Sequence, residues 1–414
     1  MKPFAALLVL GVCVSHSPTA FSQTDYEVDL SKIQKEIKKK PYALNGFLEF
    51  TPAFLGLDTT SKLYQAQLAG NGVGKTMGQY NFRLRPEASY QKGIARLYAM
   101  GDGYLKNNDL GWSGKATLFQ GYLSLKFRPS AAVDIGKRVV RWGKGYAWNP
   151  AAFTDRPKDV EDPQEALEGF SMLSADFTKS FAGPLKTLSF TPVILPVTGD
   201  LNNAFGKPGH VNVAGKLYGL IWDTDVDFMF LAGASRGARY GLDFSRNIRA
   251  NSEVHGEWAW LTSGGSRATM SGLLGFRYLT ADESTFIAEY YRNGPGLEEE
   301  EARTLYKTIG VGGSESQSLQ KLVTTQNLMR NYLYLRASKK EPFQIVYLTP
   351  EISSIINLTD HSFLVLPGFT YSPVTNLQLR LRGALLVGAT NTEYGEKQTN
   401  YRVELRIRYF FQKP

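Results

Sequence analysis

The chain has 414 residues, a net charge of +9, 40 glycines and 22 Tyr, 24 Phe and 6 Trp, but a single cysteine, Cys13. One thiol excludes an internal disulfide framework and a Cys-based zinc site. No stretch reaches the roughly 18 apolar residues of a membrane-spanning helix.

In chain order, MKPFAALLVLGVCVSHSPTAFSQ opens with a lysine, an apolar run over about residues 4–14 and a small-x-small site at Ala20-Phe21-Ser22. That is the pattern of a secretory signal peptide over 1–22, and cleavage would remove Cys13. A lipoprotein reading is weaker, because Val12 stands where a small residue is wanted before the cysteine. Export also sets nucleic acid aside as a partner for the basic charge. Residues 23–41 form an N-terminal segment in which Ser31 and Gln34 stand at capping-box spacing, with Leu30, Ile33 and Ile37 on one helical face.

From Tyr42 to Phe411 the period is two. In YRVELRIRYFF, Tyr401, Val403, Leu405, Ile407, Tyr409 and Phe411 alternate with Arg402, Glu404, Arg406 and Arg408. In TNLQLRLRG, Leu377, Leu379 and Leu381 alternate with Gln378, Arg380 and Arg382. Arginines facing one side and Leu, Ile and Tyr the other suit water inside and lipid outside. Eighteen such segments are predicted, near 42–55, 78–90, 92–104, 114–128, 131–142, 168–179, 185–195, 209–221, 225–235, 238–248, 252–262, 267–279, 283–293, 329–338, 343–356, 361–372, 375–388 and 398–411; sixteen is the alternative count. Joints after even strands are tight (QKG, RPSA, DTD, RANS), whereas several after odd strands are long. The expectation is an all-β, transmembrane, antiparallel up-and-down barrel with short periplasmic turns and long extracellular loops, in the outer membrane of a Gram-negative bacterium.

The stretch GKRVVRWGKGYAWNPAAFTDRPKDVEDP (136–163) completes the fifth strand and enters a long loop. It lacks the spacing of a phosphate-binding loop. Val139-Val140 breaks the alternation and reads as a bulge. If the loop folds inward, Lys144, Tyr146, Trp148, Asp155, Arg156, Lys158 and Asp159 are the constriction candidates. Arg141-Trp142-Gly143-Lys144-Gly145 with Trp148-Asn149-Pro150, then Pro157-Lys158-Asp159 and Asp162-Pro163, resembles a motif of a poorly characterised group of porin-like outer-membrane proteins. The aromatic-ended last strand is similar to the assembly signal of porin-type barrels, although Gln412-Lys413-Pro414 follow it. The resemblance implies a barrel and names no substrate.

Face assignment by the apolar set puts a basic wall on Arg83, Arg85, Arg96, Lys126, Arg138, Arg141, Arg330, Arg336, Arg380, Arg382, Arg402, Arg406 and Arg408. An acidic wall falls on Asp243, Glu253, Glu257 and Glu289, while Glu87 and Glu404 pair with neighbours. The sequence carries no Gly-x-Ser-x-Gly, His-Glu-x-x-His or EF-hand pattern. After His16 is removed, His210, His255 and His361 lie on separate strands. GLEEEEARTLYK (296–307) reads as a solvated helical turn ahead of a cation site. A receptor with a folded plug would need more chain than residues 23–41 before the first strand. The expected function is passive diffusion of small hydrophilic solutes, tilted toward anions such as carboxylates, with no enzyme activity, cofactor or metal. The competing readings are an exporter of an acidic polymer, a transporter of hydrophobic compounds and a barrel enzyme. Outer-membrane lipid, lipopolysaccharide, the barrel-assembly machinery and small polar solutes are the expected partners.

Overall fold

The computed structural model describes residues 40–262, 268–309, 323 and 327–413. The segment before residue 40, with its expected signal peptide and helix, lies outside the described residues. The chain forms one sheet of eighteen antiparallel strands that closes on itself. In order they are β1 (Tyr42–Leu57), β2 (Thr76–Lys92), β3 (Ala95–Asn108), β4 (Gly111–Arg128), β5 (Ala131–Arg138), β6 (Phe170–Ser180), β7 (Leu185–Val197), β8 (His210–Ile221), β9 (Thr224–Ala232), β10 (Arg239–Arg249), β11 (Ser252–Leu261), β12 (Thr269–Leu279), β13 (Ser284–Arg292), β14 (Asn331–Lys339), β15 (Leu348–Asn357), β16 (Phe363–Val374), β17 (Leu377–Val387) and β18 (Thr399–Lys413). Each strand pairs with its sequence neighbours, and β1 pairs with β18 from Leu44↔Lys413 to Leu57↔Thr399. Closure leaves no unpaired edge, which is what a hydrocarbon environment demands of a sheet.

The alternation sorts the side chains. Leu48, Leu97, Leu274, Val403, Leu405 and Tyr409 stand exposed on the outer face. Between them Arg382, Glu404, Asp243, Glu257 and Glu289 are buried on the inner one. At the closing seam Tyr401 covers Gly56: a Cβ there would meet the ring at 2.0 Å, so only glycine permits that approach. Short connections follow the even strands. Trp222 and Asp223 make the β8–β9 turn with φ of 49° and 59°, the twist-matched geometry of a two-residue hairpin. The β14–β15 connection departs from expectation. A turn at Pro342–Gln344 delays β15 to Leu348, and Glu341, Phe343, Gln344 and Tyr347 all take positive φ there. Pro342 and these turns remove the segment from the ladder.

Two further differences concern the fifth and fourteenth strands. β5 ends at Arg138, so Val139-Val140 is no bulge within a strand; the chain leaves the sheet there, and Arg141 takes a left-handed φ of 56°. β14 begins at Asn331, so Arg330 is a loop residue. It clamps the preceding loop through the Gly296 carbonyl and Glu298. The run after Gly296 includes a helix, α2 (Glu299–Ile309), preceded in the chain by the short α1 (Lys62–Gln67). In α2, Ala302, Leu305, Tyr306 and Ile309 are buried while Arg303 pairs with Glu299 in solvent. No group of acidic or histidine side chains among the described residues is arranged to hold a metal ion.

Leu405 lies midway along β18, opposite Leu381 on β17, with both on the outer face. Leu405→Arg should lower the unfolding free energy of the bilayer-inserted barrel by about 2–4 kcal/mol. A change near zero in denaturant titrations would show that this face does not meet lipid.

Candidate functional site

The connection between β5 and β6, residues 139–169, crosses the lumen and is fastened at both ends. Its first part folds over the β9–β13 wall. Glu257 on β11 accepts the backbone N–H groups of Lys144 and Gly145 at 2.6 Å each, that of Ala151 at 3.2 Å and the Asn149 amide at 2.9 Å. Glu289 on β13 accepts the N–H groups of Tyr146 and, at 2.8 Å, Ala147. Four consecutive amides thus converge on two carboxylates, a concave backbone geometry suited to anions. Gly143 permits it: φ is 88°, and a Cβ would stand 2.6 Å from the Asn149 amide and 2.8 Å from Glu257. Burying these carboxylates is tolerated because every donor they receive is directional.

The named loop side chains complete the anchorage. Lys144 reaches Asp227 on β9 at 2.9 Å, and Tyr146 donates to Glu253 at 3.1 Å. Burial pushes the Tyr146 hydroxyl up to about 12, with Glu253 adding to the shift. Trp148 stacks on Tyr291 at 5.1 Å and donates to Asn327 at 2.7 Å. Lys158 donates to the Gly145 and Tyr146 carbonyls at 2.6 and 3.1 Å, and burial lowers its pKa. Asp155 accepts the Val140 and Trp142 amides, while burial outweighs those bonds and raises its pKa. Apolar packing supports the hydrogen bonds: Ala147, Trp148 and Val160 join one buried cluster with Leu273 and Ile287, and Trp142, Ala151 and Phe153 join another with Val193 and Leu195.

The acidic tail of the loop docks on the opposite wall. Asp162 bridges Arg380 at 3.1 Å and Arg406 at 2.9 Å. Glu165 contacts Arg85, Arg83 at 3.4 Å and Arg408 at 3.3 Å. Glu161 pairs with Arg402, and its carbonyl accepts from Arg382 at 2.9 Å. Burial alone would raise the Asp162 pKa; Arg380, Arg406 and Arg382 outweigh it and hold the carboxyl at about 2. Glu165 is lowered in the same way, by Arg85, Arg83 and Arg408 against burial.

The remaining sequence candidates fall into separate settings. Arg83 and Arg85 also share Asp102, Arg138 pairs with Asp134, Arg336 with Glu351 and Arg382 with Glu404. Arg96 lies over Tyr98 near the short-turn end, and Lys126 is exposed on β4. Glu253 receives Tyr146, and Asp243 is fully buried opposite Asp227 and Glu257. His255 is buried against Glu289 at 2.8 Å and the Tyr146 ring. Arg141 belongs to no strand, and it lines a cavity of about 910 Å³ beside the loop.

Several residues escaped the sequence reading. Asp227 was legible from the period of β9, where Val226 and Phe228 face out. Glu49, Asp102, Asp134 and Glu351 within the basic wall were legible in the same way. The docking of Glu161, Asp162 and Glu165 on the arginine wall, and of Glu168 on Lys137, was not, since no local pattern says where a loop lands.

Lowering pH should release this latch. The carboxyls of Asp162 and Glu165 are depressed in the folded loop, so their contribution is complete above the ordinary carboxylate range and lost as pH falls toward the folded values. Single-channel recordings should therefore be quiet down to about pH 4 and become noisier and more conductive from there toward about pH 2. Recordings that stay unchanged to pH 2 would show that the ion pairs do not hold the loop.

No protein-family model and no curated protein matches this chain. Among solved structures, it is similar to Pseudomonas aeruginosa OccK5 (OpdH), with a TM-score of 0.53 and 12% identity over 90% of this chain and 98% of that one. It is also similar to P. aeruginosa OccK11 (OpdR), at 0.53 and 13% over 90% and 96%, and to Acinetobacter baumannii OccAB3, at 0.50 and 12% over 90% and 99%. At such identities the shared property is the fold.

Proposed function

We propose that this protein is a passive diffusion channel in the outer membrane of a Gram-negative bacterium, admitting small hydrophilic solutes and favouring anions such as carboxylates. The observation that carries the reading is the loop 139–169, stretched across the lumen of a closed barrel from buried carboxylates on one wall to arginines on the other. Such a strap narrows a pore and lines it with charge, so it sorts solutes by size and sign without a reaction. The apolar outer face supports a lipid surroundings, including lipopolysaccharide, and the alternating last strand supports handling by the barrel-assembly machinery. On this reading the long loops are extracellular.

The anion tilt rests on sharing. Glu165 lies between Arg83, Arg85, Arg406 and Arg408, and Glu49 is divided between Arg406 and Arg408. With the loop docked, eight arginines (Arg83, Arg85, Arg336, Arg380, Arg382, Arg402, Arg406 and Arg408) meet seven carboxylates (Glu49, Asp102, Glu161, Asp162, Glu165, Glu351 and Glu404), and Arg96 and Lys126 have no carboxylate in contact among the described residues, so the wall keeps a small positive excess. The lumen offers a catalytic reading little: its buried histidine, His255, is occupied by Glu289 and Tyr146. Purified protein added to planar bilayers should give stepwise, ohmic single-channel currents in KCl, with a reversal potential of anion sign across a salt gradient. Folded protein that inserts but passes no current would overturn the proposal.

A further inference from the structure

Most arginines of the lumen are met by carboxylates, but at the long-loop end two, Arg156 and Arg236, are held by aromatic rings beside a third, Arg239. Arg156 lies 4.6 Å from the Phe170 ring centroid and Arg236 lies 4.0 Å from that of Phe205, while Phe170 and Phe205 pack edge to face at 5.2 Å. Phe205 is buried, so this pair forms a rigid base for two guanidinium groups. Arg236 spends one donor on the Phe205 carbonyl. Arg156 shares Glu168 with Lys137, and its Nε is buried with no partner among the described residues. Arg239, at the start of β10, has no carboxylate in contact among the described residues. Arg236 carries the mark of this neighbourhood: burial, with Arg239 and Arg156 adding to it, brings its pKa down to about 10.

All three line the cavity of about 910 Å³ between the loop and the β9–β13 wall, as does Arg141. The carboxylates bordering that cavity are engaged elsewhere. Asp155 is bonded to the Val140 and Trp142 amides, Glu165 to the arginine wall, and Asp159 has an interaction of its own. Trp142, Phe153 and Leu261 supply apolar lining. Stacking on a ring leaves the in-plane N–H donors of a guanidinium free for planar or tetrahedral oxyanions.

We propose that Arg156, Arg236 and Arg239 form an oxyanion-binding site at the long-loop mouth, selective for a doubly charged group of the phosphate-monoester kind. A cluster in which Arg236 and Arg239 meet no carboxylate among the described residues, and Arg156 meets only one that it shares with Lys137, is better neutralised by a dianion than by a single carboxylate, and three acceptor-rich oxygens match the donors on offer. A bare ion would leave most of the cavity empty, so the remainder takes the organic body of the ester against Trp142 and Phe153. The site deepens the channel reading, in which solute meets this cavity before the strap.

The test uses inorganic phosphate and glycerol phosphate as probes, with acetate at equal ionic strength as control. Added on the long-loop side, both phosphates should reduce KCl current in a saturable way, and acetate should not. Arg236→Gln/Arg239→Gln should weaken the effect by about tenfold or more, the loss expected for two charge-assisted donors. The same comparison by tryptophan fluorescence of the folded barrel in detergent does not require conduction, since Trp142 lines the cavity. A saturable phosphate response lost in the double variant supports the site even if no current is seen, in which case only the channel reading falls. Equal responses to phosphate and acetate, or an undiminished phosphate response in the folded double variant, would overturn the site and leave the channel reading intact.

Discussion

Replacing Arg380, Arg382, Arg406 and Arg408 together with Gln should reverse the sign of the ion preference, read as the reversal potential across a salt gradient. These side chains hold Asp162, Glu351, Glu404, Glu49 and Glu165. Their removal therefore deletes four positive charges and also exposes carboxylates that were paired. Fixed charges act on a passing ion over about 10 Å at 0.1 M salt and about 3 Å at 1 M, so the reversal should be clear in dilute salt and fade in concentrated salt. The barrel should still form, because Leu377, Leu379, Leu381 and Leu405 are untouched and glutamine remains polar toward the lumen. An unchanged reversal potential in a folded, conducting variant would mean that these arginines do not face the ion path.

Glu257→Leu should have the largest effect on the strap itself. The substitution removes the acceptor for three backbone amides and the Asn149 side chain, and each buried donor left unmet costs about 1–3 kcal/mol. That is enough to make the bound loop less favourable than one reaching into water. Conductance should rise several-fold and flicker on the timescale of loop motion, and Glu257→Gln, which keeps one acceptor oxygen, should fall between the two. A conductance and noise level equal to the parent would show that the carboxylate does not fasten the loop.

The barrel was legible in the sequence because every strand repeats one rule. A two-residue period puts Arg402, Arg406 and Arg408 on one face of β18 and Val403, Leu405 and Tyr409 on the other. Tight joints such as Trp222-Asp223 mark one end. The boundaries failed where local chemistry overrides that period: at Pro342, which ends the ladder early, and at Val139, where two β-branched residues continue the strand in propensity but not in pairing. The inner surface was less legible. Alternation assigned Asp243, Glu257 and Glu289 to the lumen but could not show that four loop amides converge on two of them. Nor could it show that Asp162 and Glu165 occupy the arginine wall. The polarised lumen expected from strands alone is thereby changed, since the loop brings acids to the basic wall and amides to the acidic one. Arg156 was expected only as a constriction candidate; its meeting with Arg236 was hidden, because their support comes from Phe170 and Phe205, which begin or precede different strands.

The central claim is that residues 139–169 strap the lumen of a conducting barrel, and deleting 144–167 tests it most directly. With a short Gly-Ser bridge in place of the loop, single-channel conductance in planar bilayers should rise severalfold over the full-length protein. Heat-modifiable migration should meanwhile confirm an intact barrel. A folded deletion variant whose conductance equals that of the parent would contradict the account, because the loop would then lie outside the path of ions.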